Sequence, residues 1–226
     1  MNNGKPSCRA NDPYCIWDPI IRRVLNIFEI FEKNEERKNR FIDSFLFKYN
    51  ARKTMTVFNP QAKSVLKNLM TKNNDIEAFI VSASHTESLR KKINFLRGTG
   101  KNWQYWWVEK LVGRAYGSAA KFQLDDSFDL IPESMNIPNL NRPIYLRRRR
   151  YYDILLSILK TTGSEWKDLV VVGDHLETDL ILPFVLGAKI GLVVSSSTPK
   201  YEIDFVQNAE RGFIVKELKD IFDHIG

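Results

Sequence analysis

The chain has 226 residues, and its content of 43% apolar and 27% charged residues is ordinary for a globular protein. No apolar run approaches the roughly 20 residues of a membrane helix, and the N-terminus lacks the apolar core of a secretory signal. We therefore expect a cytoplasmic protein with no membrane partner. The net charge of +7 suits anionic partners, but it does not distinguish phosphorylated metabolites from nucleic acid.

The first quarter of the chain is predicted to contain helices and no strand. Residues 1–17 are polar, and we expect them to be poorly ordered. From residue 18 to residue 31, apolar side chains recur at the spacing of a helix, and a similar pattern covers residues 41–46 after a charged break. We therefore assign residues 18–54 to a helical segment.

Residues 55–226 carry a different pattern, in which short apolar strands alternate with helices. A helix opened by Pro60 precedes the strand IEAFIV, and the helix SLRKKINFL follows it. Further along come the strand DLVVV, the helix LILPFVLG, the strand KIGLVV, the weaker strand GFIV and the helix KELKDIFDHI. Such alternation predicts an α/β fold, with a Rossmann-like parallel sheet covered by helices on both faces.

Residues 97–145 interrupt this pattern as an irregular insertion that is longer than a plain connection. Within it, Trp103, Tyr105 and Trp107 alternate as in a half-buried strand. We therefore predict strands over residues 104–108 and 121–124. The insertion carries no motif that identifies a ligand.

Parallel sheets bind ligands beyond the carboxyl ends of their strands, and two acids lie at such a place. Asp174 follows Gly173 at the end of a predicted strand, and Asp179 lies in the first turn of the next helix. Two carboxylates placed in this way can hold Mg²⁺. The alternative is a structural role, in which Asp174 caps the helix and Asp179 only stabilises its start.

Ser82 stands at the end of another predicted strand. Its hydroxyl and the backbone N–H of Ala83, at the mouth of a helix over residues 85–96, can hold an anionic oxygen. The alternative is that a serine of this stretch, or His85, only caps the helix.

Four consecutive arginines occupy residues 147–150, directly before a predicted helix. One of them, pointed at the edge of the sheet, can neutralise a phosphate, whereas the others form a solvated basic face. Binding of nucleic acid through this run is a further hypothesis. We disfavour it because the aromatic residues that would stack on bases alternate as in a buried strand.

Taken in chain order, these features resemble the haloacid dehalogenase (HAD) superfamily of phosphohydrolases over residues 55–97 and 145–226. The string VVVGDHLETDLILPFVLGAKIGLV is similar to that family's fourth motif almost throughout, and IEAFIVSAS resembles the second. An ungapped count back from Gly173 places the third-motif cation at Arg149, and a slip of one residue would select Arg148 or Arg150. The helical segment 18–54 lies where this family often inserts a cap.

The resemblance implies a phosphatase that acts on a small phosphorylated metabolite through an aspartyl-phosphate. It assigns Mg²⁺ to Asp174 and Asp179, phosphate binding to Ser82 and Ala83, and neutralisation of charge to Arg149. In such a reaction, positioning and charge neutralisation supply much of the reduction of the barrier.

The first motif of the family, an apolar strand that ends in the nucleophilic aspartate, has no good counterpart in this chain. The nearest string is DPYCIWD at residues 12–18, which makes Asp12 the candidate nucleophile although polar residues precede it. Three explanations fit: a truncated or mis-started chain, a degenerate member without hydrolase activity, or an Asp12 nucleophile in unusual surroundings. A non-catalytic HAD-like module that binds an anion or Mg²⁺ is therefore the alternative to an enzyme.

Overall fold

The computed structural model describes residues 5, 13–31, 34–46, 57–71, 76–97 and 102–225 of the chain. Its α-helices are α1 (Pro13–Ile27), α2 (Glu35–Leu46), α3 (Ala62–Thr71), α4 (Thr86–Asn94), α5 (Trp106–Gly113), α6 (Arg149–Thr162), α7 (Ile181–Val185) and α8 (Lys200–Asn208). Its strands are β1 (Ile80–Val81), β2 (Ala115–Tyr116), β3 (Ser134–Met135), β4 (Ile144–Tyr145), β5 (Val170–Gly173), β6 (Lys189–Val193) and β7 (Gly212–Val215). Single turns of 3₁₀ or π helix cover Asn102–Tyr105, Trp166–Asp168, Leu176–Leu180 and Leu218–Asp223. The predicted α/β class is confirmed at this level.

The parallel strands form two separate groups. Strands β5, β6 and β7 pair in that order, and β1 pairs with β2. A small antiparallel hairpin of β3 and β4 lies in the predicted insertion. Within the described ranges, no strand pairs with the second edge of β1 or of β5, so a single continuous sheet is not seen there.

Helices cover both faces of the β5–β6–β7 sheet. On one face, Ile190 and Leu192 of β6 pack in a cluster with side chains of α6, α7 and α8. On the other face, Phe213 and Val215 of β7 pack with Val65 of α3 and with the turn Leu218–Asp223. Because successive side chains of a strand point to opposite faces, apolar strands of this kind need two such covers.

Helix α3 also reaches the second parallel pair. Its Met70 is buried in a cluster with Leu89 and Ile93 of α4 and with side chains of α5. Close to its first residue, the side-chain amide of Gln61 donates to the Glu217 carboxylate beside the C-terminal turn at 2.8 Å. One helix therefore contributes to the packing of both parallel groups.

The N-terminal helices agree with the predicted helical segment only in part. Helix α1 already begins at Pro13, inside the stretch that is predicted to be poorly ordered, and residues 47–56 lie outside the described ranges. Among the side chains of α1 and α2 that the structure describes, Leu25 and Ile42 are the buried apolar ones. No helix among the described residues is both long enough and apolar enough to cross a membrane.

Three predictions of local structure were wrong. The stretch 104–108 is a 3₁₀ turn followed by α5, because Trp107, Val108 and Leu111 form a buried helical face. The stretch 121–124 contains a turn rather than a strand. The last helix is a 3₁₀ turn, Leu218–Asp223, in which the Asp220 carboxylate accepts the Glu217 N–H.

Candidate functional site

The loop over residues 117–121 lies directly against the carboxyl end of β1. The N–H of Ala119 donates to the carbonyl oxygen of Ser82 at 2.9 Å, and the N–H of Ser118 donates to that of Ser84 at 2.6 Å. Gly117 permits this approach, because a Cβ at that position would lie 2.4 Å from the Cα of Thr86. The turn after β1 is thus held by backbone hydrogen bonds to the segment after β2.

Two non-glycine residues of this loop adopt left-handed backbone conformations. The φ angle is 53° at Ser118 and 45° at Ala120. Such angles are uncommon for residues with a side chain. They persist only where the surrounding structure holds the backbone in place, and they are more frequent at functional sites. Ala119 between them is fully buried, which fixes the path of the loop.

Lys121, at the end of the loop, contacts the segment that follows β5. Its Nζ donates to Oδ1 of Asp179 at 2.9 Å and lies 5.1 Å from the centre of the Tyr151 ring. The Tyr151 hydroxyl donates to the backbone oxygen of Asp179 at 2.8 Å. Both charged side chains are largely buried, so this ion pair is only weakly screened by water.

Asp179 folds back over the end of β5. The π-helical turn, closed by the Ile181 N–H and the Leu176 carbonyl, carries its carboxylate to Gly173. A Cβ on Gly173 would lie 2.6 Å from the Cβ of Asp179 and 2.7 Å from its Oδ2. The glycine before Asp174 is therefore required by the carboxylate packed against it.

Asp174 itself is open to solvent, with 73% of its side chain exposed. Its Oδ2 lies 3.9 Å from Nε2 of His175, too far for a hydrogen bond. Its carboxylate is therefore accessible to a ligand at the carboxyl end of β5. The predicted pair of acids is thus split into a paired, buried Asp179 and an accessible Asp174.

The structure turns Arg148, not Arg149, into the core. Arg148 is 1% exposed, and its Nη1 donates to the carbonyl oxygen of Lys121. Burial lowers the pKa of Arg148 to about 10, against the attraction of the Glu177 and Asp179 charges, so the side chain stays a cation at neutral pH. Helix α6 begins one residue later, and the non-helical backbone of Arg148 directs its side chain inward.

The other three arginines of the run point in different directions. Arg149 is exposed and lies 3.8 Å from the Asp153 carboxylate on its own helix. Arg147 donates to the carbonyl oxygen of Asp126 at 3.0 Å, and Arg150 donates to that of Ser118. The run therefore forms no single basic face.

A second buried cluster lies beside this site and had no signal in the sequence. Glu177, 2% exposed, accepts hydrogen bonds at 2.8 Å from Nη2 of Arg142 to both of its oxygens. The Tyr201 hydroxyl donates to Glu177 at 2.8 Å, and the fully buried Glu202 accepts the Leu176 N–H at 3.1 Å. Burial, and then the hydrogen bond to Glu177, raises the pKa of Tyr201 well above its usual value.

The described residues do not complete a Mg²⁺ site. In the ranges given above, no group of three His, Cys, Asp or Glu side chains is arranged to hold a metal ion. Asp179 already neutralises an ammonium group, which leaves Asp174 as the accessible carboxylate of the predicted pair. Asp12, the predicted nucleophile, lies outside the described residues.

The turn at Ser82 has the groups that an anion needs. The Ser82 oxygen accepts the Ser84 N–H at 3.2 Å, and within the described structure its own proton has no acceptor. His85 makes no capping hydrogen bond, so the alternative of a histidine cap is not observed. Uncapped N–H groups at the start of α4 and the Ser82 hydroxyl favour a negatively charged ligand.

The sequence predicted Ser82, Ala83, Asp174 and Asp179 as site residues and gave no signal for Lys121. Within the loop 117–121, Ala119 contacts Ser82 and Lys121 contacts Asp179, which packs against Gly173 at the end of β5. No protein-family model, curated protein or solved structure matches this chain. The chemistry of the site therefore rests on its geometry alone.

Proposed function

We propose that this chain is a HAD-like protein that binds the phosphate of a small phosphorylated metabolite where β1 and β5 end. One observation carries the proposal: the loop 117–121 links the Ser82 turn to the Lys121–Asp179 pair, which packs against Gly173 at the end of β5. Hydroxyl and N–H donors, a largely buried ammonium and an open carboxylate are the groups that phosphate-handling sites require.

Each of the residues that surround the proposed phosphate has a role. The Ser82 hydroxyl and the N–H of Ala83 donate hydrogen bonds to phosphoryl oxygens, and the Lys121 ammonium offsets their charge. Asp179 holds the lysine in place, and Arg148 fixes the loop by donating to the Lys121 carbonyl. Lys121 thereby takes the role that the resemblance assigns to Arg149.

Hydrolysis of the bound ester is the activity that the resemblance implies, and it remains the leading hypothesis. It requires a nucleophile from outside the described residues, for which Asp12 is the sequence candidate. It also needs Mg²⁺, the predicted cofactor, to find further ligands beyond Asp174. The described residues account for binding and for neutralisation of charge, and for no covalent step.

A non-catalytic anion-binding module is the second candidate, and the Lys121–Asp179 pair favours it. Because Asp179 is engaged at 2.9 Å by an internal cation, binding of a metal there would require the lysine to move. Binding of nucleic acid is supported less well, since the four arginines diverge and one of them is buried.

The test compares phosphate binding with phosphate release by the full chain. We expect inorganic phosphate to raise the melting temperature, and Ser82→Ala to weaken this effect several-fold, because a ligand that binds the native state stabilises it. Ser157→Ala, an exposed change on α6, is the matched control. Release of phosphate from p-nitrophenyl phosphate and a metabolite panel, with and without Mg²⁺, separates an enzyme from a binding module. Absence of any stabilisation by phosphate would overturn the proposal.

A further inference from the structure

Arg150 is connected to the turn after β1 through one residue, Ser118. Its Nε donates to the carbonyl oxygen of Ser118, and the N–H of the same serine donates to the carbonyl oxygen of Ser84 at 2.6 Å. Ser118 therefore links the arginine to the turn. Its left-handed φ of 53° sets the direction in which its carbonyl group points.

The charge of Arg150 is not matched by a carboxylate in the described part of the chain. Its neighbour Arg149 lies close to Asp153, and Arg142 is paired with Glu177, whereas Arg150 forms no ion pair with any described residue. The Arg150 side chain is exposed at the first turn of α6. Because Nε is anchored, the two terminal amino groups remain oriented and can meet an acceptor that comes from solvent.

A guanidinium group fixed in this way suits a second planar or tetrahedral anion. Its parallel N–H groups match the oxygens of a carboxylate or of a phosphate. An anchored arginine also loses less side-chain entropy on binding than a free one, which favours it as a recognition group.

We propose that Arg150 binds a second anionic group of the ligand, so that the site prefers small phosphate esters that also carry a carboxylate or another phosphate. This inference rests on the proposed binding of phosphate at the Ser82 turn. Arg150 acts as a specificity-determining residue and takes no part in holding the first phosphate.

The test uses two non-hydrolysable probes that have the same number of carbon atoms, 3-phosphonopropionate and propylphosphonate. They differ in a terminal carboxylate, so their affinities for the full chain, measured by calorimetry at fixed ionic strength, isolate the second group. We expect 3-phosphonopropionate to bind about fivefold more tightly, a size typical of an exposed but oriented ion pair. Arg150→Ala should abolish this preference. Because it also removes the anchor of Ser118, any change in the affinity for inorganic phosphate should be shared equally by the two probes.

Arg149→Ala is the matched control, because it removes the same charge one residue away, from a side chain that pairs with Asp153 on its own helix. Arg150→Lys keeps the charge without the fork, and should lose most of the preference while folding normally. Equal affinities of the two probes for the wild-type chain, or the same loss in the Arg149 and Arg150 variants, would overturn the role of Arg150 while leaving phosphate binding intact. Failure of inorganic phosphate and of both probes to bind would overturn the proposed function as well.

Discussion

Gly173 and Asp179 are in direct contact at the end of β5, since a Cβ on the glycine would meet the Cβ of the aspartate at 2.6 Å. The contact explains Gly173 and Asp179 of the string GDHLETD at once. The glycine leaves the space, and the aspartate fills it with a carboxylate that reaches Lys121. Asp174, directly after the glycine, is then left at the surface.

Substitution of Gly173 should therefore destabilise the fold. In Gly173→Ala, the new methyl group displaces the Asp179 side chain, and we expect a loss of about 1–3 kcal/mol of unfolding free energy, the usual cost of overpacking. Urea denaturation measures the change. Gly113→Ala in α5 is the control, because nothing lies within 4 Å of the added carbon and the unfolded chain loses entropy, so that variant should be as stable as the wild type or more so.

The Lys121–Asp179 pair should contribute to stability through its burial. Lys121→Met leaves the Asp179 carboxylate without its cation, and we expect a loss of roughly 2–3 kcal/mol. Lys121→Met combined with Asp179→Asn should recover part of that loss, which a double-mutant cycle measures. Lys167→Met removes an exposed pair with Glu165 and should cost less than about 1 kcal/mol. Equal costs for the two lysines would show that burial of the pair is unimportant.

Arg142 should hold the β3–β4 hairpin against the core. In Arg142→Met, Glu177 keeps the hydroxyl of Tyr201 but loses its cation, and we expect a loss of roughly 2–3 kcal/mol. Cleavage by a protease within residues 136–143 should become faster, and Arg142→Met with Glu177→Gln should reverse most of both effects. Unchanged cleavage would mean that other contacts hold the hairpin. Arg90→Met, which removes an exposed pair on α4, is the control.

Tyr201 should make the stability of the protein depend on pH in the alkaline range. Its pKa is raised by burial first and then by Glu177, so above about pH 10 the folded protein holds a proton that the unfolded chain releases. The unfolding free energy contributed by this group is complete below pH 10 and is lost as the pH rises. Between about pH 10 and 11.5, the unfolding free energy of Tyr201→Phe should therefore fall less steeply with pH than that of the wild type. The difference between the two slopes should correspond to at most about one bound proton. Parallel curves of unfolding free energy against pH for the two proteins would contradict this. Arg148, whose pKa is lowered, changes the pH dependence of stability with the opposite sign, but it is present in both proteins and cancels in the comparison.

The sequence was informative wherever one local pattern decided the outcome. The apolar run before Gly173 is β5, Gly187 ends the short helix α7 with a φ of 108°, and helices cover both faces of the β5–β6–β7 sheet. Ser82 and Asp174 lie at strand ends, as predicted, because the residue directly after an apolar strand must stand at the edge of its sheet. These predictions required no knowledge of distant contacts.

The sequence was uninformative where a residue acquires its role from a distant part of the chain. Lys121 meets Asp179 across 58 positions, through a loop whose left-handed residues are a serine and an alanine instead of the glycines that would signal such a turn. The inward arginine differs by one residue from the predicted one, since the start of α6 cannot be located that accurately from a run of identical side chains. The alternation of Trp103, Tyr105 and Trp107 also fits a helix whose buried face contains Trp107 and Leu111.

Helix α3 couples the local unfolding of the two groups of strands. Met70 at one end belongs to the cluster around β1 and β2, and Val65, about one and a half turns earlier, belongs to the cluster around β5–β7. Exposure of either cluster to solvent disturbs the same helix, so the two groups of strands should exchange their amide hydrogens as one cooperative unit. A phosphate bound at Ser82 would then slow exchange as far away as the amides of β7.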